Sequence, residues 1–143
     1  MDTELVATYP EQSWGSRSAG FIMREGNVYT IIGSNPTVLD VSNKSHPTFV
    51  AEYDAPDAWF RNLILREPLL YLGISYGVEI LNVSNLNNIT KVGEYNTTGV
   101  VWQLAIHNDV LYLGANTAGL VILNINDPTN PVELGCYDNN GAV

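Results

Sequence analysis

Any chemistry in this sequence would have to come from a small set of side chains. Trp59, Arg61, Asn62, Trp102 and Gln103 combine aromatic faces with a guanidinium and two amides. That mixture can stack on a sugar ring or grip a peptide while hydrogen-bonding its edge. The competing expectation is that the tryptophans, Trp14 included, pack between structural units. Four triplets fit the N-glycosylation acceptor pattern, beginning at Asn43, Asn82, Asn88 and Asn96. Asn88 and Asn96 lie nearest predicted turns and are the preferred acceptors if the protein is exported by a glycosylating organism. Against this stands the simpler reading that Asn and Ser are the residues a turn needs.

Other chemistries are disfavoured by spacing. Asn124, Asn126 and Asp127 could offer oxygens to calcium, but the arrangement matches no complete binding loop, and polar strand ends satisfying their own backbone explain them better. His46 and His107 are 61 positions apart with no cysteine-rich partner, which argues against zinc. Cys136 is the single cysteine, so no intrachain disulfide can form, and it reads as a small apolar filler. Phosphate-binding glycine loops and the Gly-x-Ser-x-Gly elbow are absent, and Gly73-Ile74-Ser75-Tyr76-Gly77 joins two strands, not a strand to a helix. The acidic run Glu52, Asp54 and Asp57 reads as a solvated turn. The expectation is a non-enzyme with no cofactor and no metal.

The charge narrows the partners. Six Lys and Arg against fifteen Asp and Glu give a formal charge of −9, with no basic cluster to displace counterions from a nucleic acid. The longest apolar stretch falls well short of the roughly 18 residues a membrane helix requires, and Met1-Asp2-Thr3-Glu4 lacks the basic and apolar regions of a secretion signal. Neither nucleic acid nor membrane insertion is expected.

What positions the candidate residues is an internal repeat. Tyr53, Tyr95 and Tyr137 are each 42 residues apart, and the same offset links Val50, Val92 and Leu134, then Pro47, Ile89 and Pro131, then Leu39, Leu81 and Leu123. Leu70-Tyr71-Leu72-Gly73 returns as Leu111-Tyr112-Leu113-Gly114 after 41 residues, and one extra residue near Thr117-Ala118 restores the register. Within each repeat, runs rich in Val, Ile, Leu and Tyr alternate with Gly, Asn, Asp and Pro, which predicts four short strands. In the third copy these are Val100 to His107, Val110 to Ala115, Gly119 to Ile125 and Val132 to Tyr137. Asn108-Asp109, Gly119 and Asp127-Pro128-Thr129-Asn130-Pro131 supply the joints. No window carries a helical period. The expected fold is all-β, built of tandem four-stranded antiparallel blades of a β-propeller.

The segment from Gly119 to Asp138, with Asn124-Ile125-Asn126-Asp127-Pro128-Thr129-Asn130-Pro131 leading into Val132 and Tyr137, resembles the LVIVD repeat; Gly77 to Tyr95 and Asn35 to Tyr53 are weaker copies. The aspartate of that motif stands only at Asp40, replaced by Asn82 and Asn124, which suggests a turn hydrogen bond in place of a catalytic charge. The division that follows is an outer strand of a preceding blade at 1–9, blade 1 at 10–53, blade 2 at 54–95, blade 3 at 96–137, and the start of another repeat at 138–143.

Three blades make an incomplete ring unless the chain is part of a longer array or assembles with copies of itself through exposed edge strands. The innermost strands align Arg17, Trp59 and Val100, then Ala19, Arg61 and Trp102, then Gly20, Asn62 and Gln103. The resemblance implies a cell-surface or extracellular propeller, generally without a defined activity, and the repeat together with the absence of catalytic motifs predicts a non-enzymatic module for protein contact or self-assembly. The alternative is a carbohydrate or small-ligand binder, or an enzyme, working at the mouth of a completed channel.

Overall fold

The structure, a computed structural model, describes residues 18–54, 59–115 and 118–138. The expected strand at 1–9, Trp14, Arg17, Asp57, Thr117, the segment from 139 onward and the side chains of Ala19 and Gly20 lie outside the described residues.

The described secondary structure is entirely strand. Strands β1 (Ser18–Arg24), β2 (Asn27–Ile32), β3 (Asn35–Asp40) and β4 (Thr48–Glu52) form the first sheet. Strands β5 (Phe60–Arg66), β6 (Leu69–Ile74), β7 (Gly77–Asn82) and β8 (Thr90–Asn96) form the second. Strands β9 (Val101–His107), β10 (Val110–Ala115), β11 (Gly119–Asn124) and β12 (Val132–Tyr137) form the third. Each sheet is an antiparallel meander in chain order. In the third unit the expected strand ends differ from the observed ones by a single residue at two places.

Face alternation explains why the strands are apolar almost without interruption. Successive side chains point to opposite faces of a sheet, and the middle sheet is covered on both. Leu70, Leu72 and Leu81 pack against Tyr29, Ile31, Val38 and Ala51 of blade 1. Tyr71, Val78 and Ile80 pack against Leu111, Leu113 and Leu123 of blade 3. Val78 to Leu81 therefore carries apolar residues on both parities, as a strand needs when neither face meets water.

The turns between third and fourth strands repeat atom for atom. Asp40 Oδ1 accepts from the Ser42 amide at 2.8 Å, Asn82 Oδ1 from the Ser84 amide at 2.8 Å, and Asn124 Oδ1 from the Asn126 amide at 2.8 Å. Three residues on, Asn43, Asn85 and Asp127 accept in the same way from the amides of Ser45, Asn87 and Thr129. The motif's short polar side chain thus substitutes for a backbone partner, and Asp or Asn serves equally. These bonds engage Asn124 Oδ1 and Asp127 Oδ1, two of the oxygens that sequence offered to calcium. Among the described residues no group of three His, Cys, Asp or Glu could hold a metal ion.

The tyrosine column is not uniform. Tyr53 and Tyr95 are half-buried, each against the next sheet's core, whereas Tyr137 is 64% exposed because no described sheet follows blade 3.

Leu72→Ala and Tyr71→Ala probe opposite faces of one strand. Each should lower unfolding free energy in urea melts, by about 2–5 kcal/mol for the leucine and about 3–5 kcal/mol for the tyrosine. A near-zero cost for either would show that blade 2 is covered on one side only.

Candidate functional site at the bulged innermost strands

Strands β1, β5 and β9 are the neighbours through which consecutive blades meet along one side of the stack. Each carries an irregularity at the same place. Phe60 pairs with Ile74 and Asn62 with Gly73, which leaves Arg61 as the extra residue; Val101 pairs with Ala115 and Gln103 with Gly114, which leaves Trp102. β1 shifts register between Ser18 and Phe21. A bulge bends the strand and re-aims the extra side chain, and here it turns two of them toward each other. The Arg61 guanidinium lies 4.8 Å from the Trp102 ring centroid, a contact worth roughly 0.5–1 kcal/mol at an exposed site. Asn62 spans the same seam, its Nδ2 donating to the Trp102 carbonyl at 3.1 Å while its Oδ1 accepts from the Leu63 amide at 2.8 Å.

Trp59 and Trp102 do not pack between blades: they are 61% and 52% exposed. The reason is geometric. Trp59 precedes β5 and Trp102 occupies a bulge, so neither follows the alternation that sends side chains into the seams. Gln103 is exposed beside them, and the Arg61 Nε is buried without a hydrogen-bond partner. The structure therefore brings Arg61, Asn62 and Trp102 together, with Trp59 and Gln103 exposed on the same two strand starts. Of the acceptor asparagines, Asn43, Asn88 and Asn96 are exposed and Asn82 is half-buried in its turn.

Two open clefts sit elsewhere, along the seams. One of about 300 Å³ is lined by Tyr95, Thr97, Glu133 and the exposed Cys136 among others; one of about 330 Å³ is lined by Glu25, Tyr29, Glu67 and Val83 among others. In the first, the Tyr95 hydroxyl donates to Glu133 Oε1 at 2.9 Å, tying blade 2 to blade 3, and burial followed by Glu133 raises the Tyr95 pKa.

One polar group was missed by sequence reasoning. Glu79 is buried on the blade 1 side of β7, directly opposite Leu72, with its Oε1 unpartnered. Its counterparts 42 residues away are Thr37 and Val121. Desolvation raises its pKa above the ordinary 4.5, Lys91 lowers it and Glu94 raises it. A signal was present: a carboxylate interrupts an otherwise apolar strand.

This arrangement of consecutive four-stranded meanders, joined at their innermost strands and packed face to face, defines the chain as tandem blades of a β-propeller. The fold is shared with the crystal structure of the N-terminal domain of Nup159, a β-propeller domain, at a TM-score of 0.55 and 18% identity. The match covers 78% of this chain and 31% of that one, so the chain spans about a third of that structure. The LVIVD repeat family matches residues 29–55 and 98–139, and the chain carries LVIVD repeats. No curated protein matches it in sequence.

Because the folded pKa of Glu79 is raised, the protonated form is favoured in the fold. Its contribution is fully present below the unfolded value of 4.5 and is lost as pH rises through the folded value. Glu79→Gln should match the wild type in urea melts at pH below 4.5 and exceed it near neutral pH by about 1 kcal/mol. An equal gap at both pH values would contradict this.

Proposed function

We propose that the chain is a non-enzymatic LVIVD-type propeller module that mediates protein interaction or self-assembly at a cell or particle surface. The observation that carries this reading is the exposed apolar surface on the first and third described sheets, where Met23, Phe49, Val132 and Leu134 stand in water. Large apolar side chains grouped on a sheet face mark an interaction site in a folded protein. The surface location follows from the resemblance between these repeats and those of exported proteins. Protease shaving of intact source cells or particles tests it: peptides from this chain should be released without lysis, and protection until lysis would contradict the location.

A second reading is favoured by the Arg61, Asn62 and Trp102 cluster. Exposed indoles beside a guanidinium and two amides suit a carbohydrate or small polar ligand at the mouth of a completed channel. Titration of oligosaccharides against intrinsic tryptophan fluorescence should then show saturable quenching in the wild type, weakened at least about tenfold in Trp102→Ala. No change with any sugar, or equal binding by the variant, would remove this reading.

A further inference from the structure

The cluster on the innermost strands of blades 2 and 3 is held in place by the fold itself. Gly73 carries no side chain, and a Cβ there would press on Val101 Cγ1 at 3.0 Å and on the Val101 carbonyl at 3.1 Å. Strand β9 therefore lies hard against β6, with Val101 fully buried, and Trp102 follows as the extra residue of its bulge. From blade 2, Asn62 fixes the same point by donating to the Trp102 carbonyl at 3.1 Å. A site whose parts are fixed in advance loses less freedom when a ligand binds.

Charge sets Arg61 apart from the other arginines. Among the described residues Arg24 pairs with Glu67 and Arg66 with Asp109, whereas no carboxylate pairs with Arg61. Its guanidinium lies over the Trp102 ring, 4.8 Å from the centroid, and its Nε is buried with no hydrogen-bond partner. The indole takes one face of the guanidinium and burial closes the Nε, so a ligand meets the group at its outer end, in the guanidinium plane. A carboxylate fits that end with two parallel hydrogen bonds.

Aromatic surface flanks the arginine. Phe60 pairs with Ile74, so Trp59, just before Phe60, and Tyr76, just after Ser75, come to the same end of blade 2. They are 61% and 68% exposed. Such rings lie flat against the apolar face of a sugar, and the exposed Gln103 supplies an amide for its hydroxyls. The backbone at Trp102 is engaged by Asn62, which works against a peptide adding there as a strand.

We infer that this cluster takes a glycan carrying a single uronic acid residue, with the carboxylate on the outer end of Arg61 and sugar rings against the exposed aromatics. The formal charge of −9 on the chain favours one acidic residue over a run of them, because every further carboxylate meets a repelling field. This rests on the carbohydrate reading of the same cluster and deepens it by fixing the charge of the sugar.

Calorimetric titration of the full chain tests it. The probes are oligosaccharides ending in one glucuronate, galacturonate or mannuronate, the same sugars with that carboxyl reduced to the alcohol, and short peptides ending in a free carboxylate. An acidic sugar should bind at least about tenfold tighter than its reduced counterpart, as hydrogen bonds to a charged group allow. Arg61→Gln should retain the far-ultraviolet β spectrum and bring the two forms within about twofold of each other. Arg61→Lys should recover only part of the preference, because an ammonium is a point charge without the planar fork.

Equal binding of acidic and reduced sugars by the wild type, or a preference that survives Arg61→Gln, overturns the inference and leaves the carbohydrate reading standing. An equal loss of both forms in Arg61→Gln would make the arginine a support for Trp102, which overturns it too. Tighter binding of the peptides than of any sugar would make the cluster a peptide site, against the inference. Binding of neither sugar form also overturns it, and the carbohydrate reading then falls only if the wider oligosaccharide titration is silent as well.

Discussion

A four-stranded sheet has two faces and cannot bury either by itself, so the structure depends on one sheet lying flat against the next. No other force present is large enough to replace that contact. Cys136 is the only cysteine, which removes disulfide crosslinking. The ion pairs that cross the seams, Arg24 with Glu67 and Arg66 with Asp109, are largely exposed and worth at most about 1 kcal/mol each. Full burial of one aliphatic side chain contributes roughly 1.5–3 kcal/mol, and each seam contains several, Leu72 and Leu81 in one and Leu111 and Leu113 in the other.

This constraint also accounts for what the repeat keeps and what it lets vary. Most positions that meet a neighbouring sheet are apolar, as Leu81 and Leu123 are, with the Glu79 position the exception. The turn position needs only a short side-chain oxygen, so Asp40, Asn82 and Asn124 interchange while making the same 2.8 Å bond. The outer strands carry a bulge at Val50, Val92 and Leu134, which is why that column could be read in the sequence although its three members differ in exposure.

The blades were legible because covering both faces forces a repeated pattern, and repeats can be counted. The strands of the third unit, to within one residue at two ends, and the Asx-type bonds at 124–127 followed from residue type and spacing. The candidate site was legible only in part. Alignment of the innermost strands grouped Arg61 with Trp102 and Asn62 with Gln103, but the bulges that turn Arg61 onto the indole depend on pairing registers that residue types do not specify. The exposure of Trp59 and Trp102 has the same origin. Glu79 is illegible for another reason: residue type places a carboxylate in water, and only the pairing with Leu72 against blade 1 buries it.

Amide hydrogen exchange on the dilute, unassociated chain tests most directly that stability resides in the seams. The slowest amides should lie in β6 and β7, from Leu70 to Leu72 and from Val78 to Leu81, in the sheet that has a described sheet against each face, with faster exchange in β11, beside the half-buried Tyr112 and Ile122. Protection in β11 equal to or greater than that in β6 and β7 would contradict the account.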